Sequence, residues 1–148
     1  MMRFENAVVV SRPIDEVFAF LSNPFSSARR GGGSLGFRVT PPGPIGLGST
    51  LRLRMVAFGL ERTISGAITE WDPPRAATLS LANEGPVRSG TIRTTLEATT
   101  EGTKALTVIE IKPRGIWKLL SPLVGPYMMR QTITRNQNMK RLLESGRA

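Results

Sequence analysis

The chain has 148 residues, enough for one domain with a real core, and its 40% apolar and 21% charged content is ordinary for a globular protein. It contains neither cysteine nor histidine. Disulfides, thiolate chemistry, a serine–histidine triad and the commonest metal ligands are therefore excluded, and no cofactor is implied. Twenty Lys and Arg against eleven Asp and Glu give a net charge of +9. The arginines are spread from Arg3 to Arg147 and alternate with apolar residues, as on a solvated sheet face, so nucleic acid is a disfavoured partner.

Residues 3–10, rich in β-branched side chains, read as a strand. Ser11-Arg12-Pro13 then opens a helix, with Pro13 expected in its first turn, Asp15 and Glu16 favoured there by the helix dipole, and Val17, Phe18, Phe20 and Leu21 on its apolar side. Asn23-Pro24 should end it. Residues 26–36, containing Gly31-Gly32-Gly33, read as a mobile loop, and Thr40–Gly48 as a second connector.

A series of period-2 segments follows: 50–58, 61–71, 78–82, 90–98 and 103–112. Turns are expected at Phe58-Gly59-Leu60, Asp72-Pro73-Pro74-Arg75, Asn83-Glu84-Gly85-Pro86 and Glu101-Gly102. Short strands joined by tight turns indicate an antiparallel meander. From Ile116 the period becomes helical, with breaks at Pro122 and Gly125-Pro126. The main helix is expected from Pro126 to about Ser145, carrying Met128, Thr132, Arg135 (or Asn136), Met139, Leu142 and Leu143 on one side.

One apolar sheet face with one long helix to cover it points to a curved sheet gripping that helix. The inward set is then Leu51, Leu53, Met55, Ile64, Ile68, Leu79, Leu81, Ile92, Thr94, Leu96, Thr107, Ile109 and Ile111 from strands, and Met128, Thr132, Asn136 and Met139 from the helix. These side chains could fill the interior or line a cavity for a hydrophobic small molecule. A few polar groups on an apolar lining fit a small-molecule pocket.

Possible acids and bases are few. Glu70 shares parity with Ile64 and Ile68 and could point inward, although an ion pair at the rim with Arg62 or Arg75 is the plainer reading. Glu61 and Glu110 are weaker candidates. Tyr127 and Asn136 complete the set of candidate catalytic groups. Neither glycine-rich loop has P-loop or dinucleotide spacing, and no carboxylate cluster suggests a metal. The block from Ile116 to Met129, with Lys112, Arg114 and Lys118 nearby, either caps the cavity or touches an anionic membrane peripherally. No apolar run approaches the ~20 residues of a membrane span, and the N-terminus lacks the apolar core of a signal peptide, so a cytoplasmic protein is the simplest expectation. Oligomeric state is not legible.

Several stretches together resemble the START-related (SRPBCC) superfamily, in particular its bacterial polyketide cyclase/dehydrase-like branch. They are Arg12-Pro13-Ile14-Asp15-Glu16-Val17-Phe18-Ala19-Phe20-Leu21, Gly43–Gly48, Glu70-Trp71-Asp72-Pro73-Pro74-Arg75, Gly102-Thr103, Pro113-Arg114-Gly115 and Asn138–Glu144. The resemblance spans nearly the whole chain and implies a single START-like ligand-binding domain over 1–148. It implies an α+β helix-grip fold, a seven-stranded antiparallel sheet curved around a long C-terminal helix with short N-terminal helices. It also implies binding of a lipid, polyketide or similar apolar molecule by a carrier or sensor, with an aromatase/cyclase-like enzyme as the alternative. Two departures stand out. An expected aromatic near the mouth is replaced by Ala28-Arg29-Arg30-Gly31-Gly32-Gly33, which should be mobile and anion-friendly. Leucine-like positions of the last helix are here Thr132 and Asn136, whose polar groups need partners.

Overall fold

The computed structural model describes residues 2–83 and 87–146, apart from the side chains at 25 and 27. The expected turn at 83–86 therefore falls, for Glu84, Gly85 and Pro86, outside the described residues. The chain runs β1 (Met2–Val10), α1 (Ile14–Leu21), α2 (Pro24–Arg29), β2 (Ser34–Thr40), β3 (Thr50–Ala57), β4 (Leu60–Asp72), β5 (Ala76–Leu81), β6 (Val87–Thr99), β7 (Gly102–Pro113), α3 (Ile116–Leu119) and α4 (Ser121–Glu144). The strands form one antiparallel sheet of seven in the order β1-β7-β6-β5-β4-β3-β2. This is the helix-grip α+β fold.

Side chains of alternate residues meet across the sheet in rows on the inner face. One row reads Val8, Ala105, Leu96, and the next reads Asn6, Thr107, Thr94, Ala77, Trp71. Then comes Phe4, Ile109, Ile92, Leu79, Ile68. The first row packs with Val10, Val17, Phe20, Met139 and Leu143 into a solid core under α1 and the end of α4. Val10 and Val17 are fully enclosed there, so burial of apolar area anchors α1 to the sheet.

The C-terminal end of α4 is clamped to the β1–α1 junction. Glu144 accepts hydrogen bonds from the Ser11 amide at 2.9 Å and Lys140 Nζ at 2.7 Å, and Arg12 donates to the carbonyls of Leu143 and Glu144. The Gly102-Thr103 pair has a physical reason in the same corner. A Cβ at Gly102 would collide with the Val10 carbonyl, and Thr103, fully buried, donates to the Arg12 carbonyl at 2.8 Å. The backbone of α4 approaches the sheet closely along β1, and the space beneath it widens toward β3 and β4.

Three local expectations are corrected. Residues 24–29 form a short helix and β2 begins at Ser34, where a mobile loop was expected over 26–36. The glycines there are pinned. Val56 donates its amide to the Gly33 carbonyl at 2.7 Å, Arg135 donates to the Gly32 carbonyl, and Gly31–Gly33 all have positive φ, which only glycine adopts without strain. Pro13 is the residue before α1's first turn, and its carbonyl accepts from Glu16 and Val17. The last helix starts at Ser121, with Pro126 inside it. A proline there forfeits one backbone bond, to the residue 122 carbonyl, and the helix tolerates that single loss near its start.

Candidate functional site

Between the sheet and α4, among the described residues, lie two hollows of about 180 and about 130 Å³. They share Leu53, Met55, Ile92, Ile109 and Arg135 as walls. The larger is lined by Leu51, Ile68, Leu79, Thr94, Thr107, Thr132 and Asn136, with Phe18, Phe37, Ile45, Trp71 and Ala77. The smaller is lined by Ile64, Leu81, Ile111 and Met128, with Met2, Val87, Trp117 and Val124. Phe58 and Leu60, also on its wall, are about half exposed (49% and 54%), so this lobe opens to the surface beside the β3–β4 turn and α3. Arg62 lies over the Trp117 ring, 5.9 Å from its centroid, at that opening.

Two residues of the inward set do not line either hollow. Leu96 and Met139 sit in the solid core beside Val17 and Phe20, where α1 closes the sheet. The division follows from α4's approach: close over β1, distant over β3 and β4.

The candidate catalytic groups separate in the same way. Ile68 and Glu70 flank a bulge in the β4–β5 pairing. The extra residue reverses the alternation, so Trp71 turns inward and Glu70 outward. Glu70 accepts from Thr78 Oγ1 at 2.7 Å and from Arg93 Nε at 2.9 Å, so its partner is Arg93 and not Arg62 or Arg75. Those hydrogen bonds, the one from Arg93 foremost, hold its carboxyl below the ordinary carboxylate range. Glu61 pairs with Arg54 on an exposed edge, and Glu110 alternates with the inward Ile109 and Ile111. Tyr127 is outside both hollows. Its hydroxyl accepts from the Phe58 amide at 3.1 Å and Gln131 Nε2 at 2.8 Å, and its ring stacks on Phe58 at 4.0 Å. This ties α4 to the β3–β4 turn, where Phe58 has the positive φ of 53° that a two-residue hairpin demands. Of the five candidates, Asn136 faces the cavity.

Asn136 is 1% exposed and fully committed. Its Nδ2 donates to Asn6 Oδ1 on β1 at 2.9 Å, and its Oδ1 accepts from Arg30 at 3.0 Å. Thr132, also buried, donates to the Met128 carbonyl and accepts from Arg135 at 3.1 Å. The polar positions that replace leucine on α4 thus find their partners in the chain. Helical periodicity alone leaves Arg135 and Asn136 as alternatives for the inner face, and both are there. Arg30, expected at an anion-friendly mouth, reaches inward from the α2–β2 loop to the same spot.

Both guanidinium groups are removed from water. Burial lowers the pKa of Arg30 to about 10, with the nearby Arg135 charge adding to the effect, and burial likewise lowers Arg135 to about 10. The Nε of Arg30 is enclosed without a hydrogen-bond acceptor. Among the described residues, neither arginine has a carboxylate partner.

No family model and no curated sequence matches the chain. Solved structures do. TTHA0849 from Thermus thermophilus superposes with a TM-score of 0.82 at 14% identity, over 99% of each chain. The Zhui aromatase/cyclase from Streptomyces sp. R1128 gives 0.80 at 15% identity, over 96% of this chain and 93% of that one. This chain shares the helix-grip fold of these structures. Ara h 8.0201 shares it too, with a TM-score of 0.74 at 14% identity over 97% of each chain. At these identities the likeness concerns architecture, and it matches the sheet order and gripped helix described above. Among the described residues, no helix is long and apolar enough to cross a membrane, and no cluster of acidic side chains could hold a metal ion.

Proposed function

We propose that this chain binds an apolar small molecule between its sheet and α4, as a carrier or sensor. The observation that carries the reading is the contrast between the two ends of the sheet. Under α1 the inward row is packed solid, whereas under the first half of α4 the same alternation lines open space. Interiors of this kind ordinarily close-pack, so a retained apolar hollow is a feature with a use. An aromatase/cyclase-like enzyme, as the Zhui protein's name describes, is the alternative. It is weakened here because Glu70 and Tyr127 are engaged elsewhere, leaving Asn136 as the one original candidate on the cavity wall. Native mass spectrometry of protein from its own host should show a bound apolar molecule. Consistent absence of one, together with failure to bind an environment-sensitive apolar dye, would remove the carrier reading.

A second reading concerns how such a molecule would be delivered. Ile116, Leu119 and Leu123 are 65–80% exposed at the α3–α4 corner, beside a groove lined by Arg88, Lys112, Arg114 and Lys118. Exposed aliphatic tips ringed by cations suit the surface of an anionic bilayer, next to the opening of the smaller hollow. Co-sedimentation should occur with vesicles containing anionic lipid and not with zwitterionic ones, and Leu119→Ser with Lys118→Glu should abolish it. Equal binding to both vesicle types would contradict this reading.

A further inference from the structure

We infer that the ligand carries an acidic head group, seated between Arg30 and Arg135, with its apolar body extending into the smaller hollow. This rests on the proposed binding function and names the chemistry of what is bound.

Two like charges lie side by side on the wall of a mainly apolar hollow. The hydrogen bonds that Arg30 and Arg135 make are to neutral acceptors: Asn136 Oδ1, the Gly32 carbonyl and Thr132 Oγ1. Tying the glycine loop to α4 needs one neutral donor, which Asn138 already supplies through its bond to the Arg30 carbonyl. The two positive charges are therefore surplus to structure. Burying a cation without an opposite charge is costly, and a buried pair of like charges more so. Arginine also differs from lysine in presenting a planar fork that takes a carboxylate, phosphate or sulfonate through two parallel bonds. An anionic head would supply the missing counter-charge, and Thr94 and Thr107 in the neighbouring row offer hydroxyls to its remaining oxygens. The smaller lobe lies beyond Arg135 and is lined mainly by aliphatic, methionine and aromatic side chains, which suits a chain or ring system without polar groups.

The test compares decanoate with decan-1-ol, equal in length and differing in charge, by isothermal titration and by the shift in thermal midpoint. Wild-type protein should bind the acid roughly tenfold or more tightly, the scale of one or two charge-assisted hydrogen bonds. Arg30→Met and Arg135→Met should lose that preference while keeping the alcohol's affinity, and Arg135→Lys should retain part of it. Arg75→Met, whose guanidinium pairs with Asp72 on the exposed β4–β5 turn away from both hollows, should leave the preference intact. The wild-type comparison needs no variant, so a folding defect in one cannot obscure the result. If acid and alcohol bind equally, the head-group assignment is wrong while the binding function stands. If neither binds, both fall.

Discussion

Asn136 joins three elements through its one side chain, so its replacement by leucine has a calculable consequence. Asn136→Leu removes the acceptor of a charged donor, Arg30, a bond of a kind worth ~1.5–3 kcal/mol, and strands Asn6 Oδ1 at a further cost of about 1 kcal/mol. The single variant should lose about 3 kcal/mol or more. Adding Arg30→Met changes the sign of the next step. The guanidinium is held in the fold with its pKa lowered from its ordinary value to about 10, and each unit of lowering corresponds to ~1.4 kcal/mol, so removing the charge relieves about 3 kcal/mol. The double variant should recover most of the loss, because replacing both members of a buried polar pair by apolar groups is nearly neutral. Urea denaturation followed by tryptophan fluorescence, read as midpoints at unchanged slope, measures this directly. The pH dependence has a definite sign. A cation whose folded pKa is depressed penalises the fold in full below about pH 10. The penalty shrinks as pH climbs above that value toward the ordinary arginine range, where the folded state binds fewer protons than the unfolded one. The stability gap between wild type and Arg30→Met should narrow over that range. If the double variant is no more stable than Asn136→Leu alone, Arg30 is not an uncompensated buried charge, and the account of the site is wrong.

Other expectations follow from the same geometry. Met139→Ala, in the packed core at 1% exposure, should cost ~2–5 kcal/mol, and Met55→Ala, on the cavity wall, about half that or less, by urea titration. Equal losses would mean that the hollow is filled in solution. Hydrogen bonds hold the carboxyls of Glu70 and Glu144 below the ordinary range, so their stabilisation is present above that range and is lost as pH falls through the lowered values. Glu70→Gln with Glu144→Gln should flatten the acid limb of the stability profile; an unchanged limb would refute this. Tyr127→Phe removes the acceptor of the Phe58 amide and should cost about 1 kcal/mol, with faster hydrogen exchange at that amide as its signature.

How far the sequence could be read depends on the range of the interactions involved. Strands β3 to β7 were legible because alternation is a local property, and the sheet's inner rows follow from it once the turns are placed. The side on which Glu70 lies was not legible, since one extra residue in β4 relative to β5 reverses parity, and only the pairing reveals it. Helix α2 was hidden by the glycines that follow it, whose positive φ serves close packing against Gln131, Arg135 and Val56 rather than mobility. The start of α4 is not legible because a proline at 126 fits a helix's first turn as well as an interior site one turn further in. Leu96 and Met139 have the same local pattern as their cavity-lining neighbours, and only the tilt of α4 separates them. The arginine pair comes from residues more than a hundred positions apart. Its halves were each noticed, Arg30 for the loop's charge and Arg135 for its helical face, but nothing local brings them together.

The two tryptophans offer the most direct test of the central claim, since Trp71 lines the larger hollow and Trp117 the smaller. Titrating 10-bromodecanoate, whose terminal bromine quenches at short range, into Trp71→Phe and Trp117→Phe should quench Trp117 strongly and Trp71 weakly. That pattern places the chain between sheet and α4 with its acid end at Arg30 and Arg135. Undiminished emission from both tryptophans at saturating ligand would contradict the account.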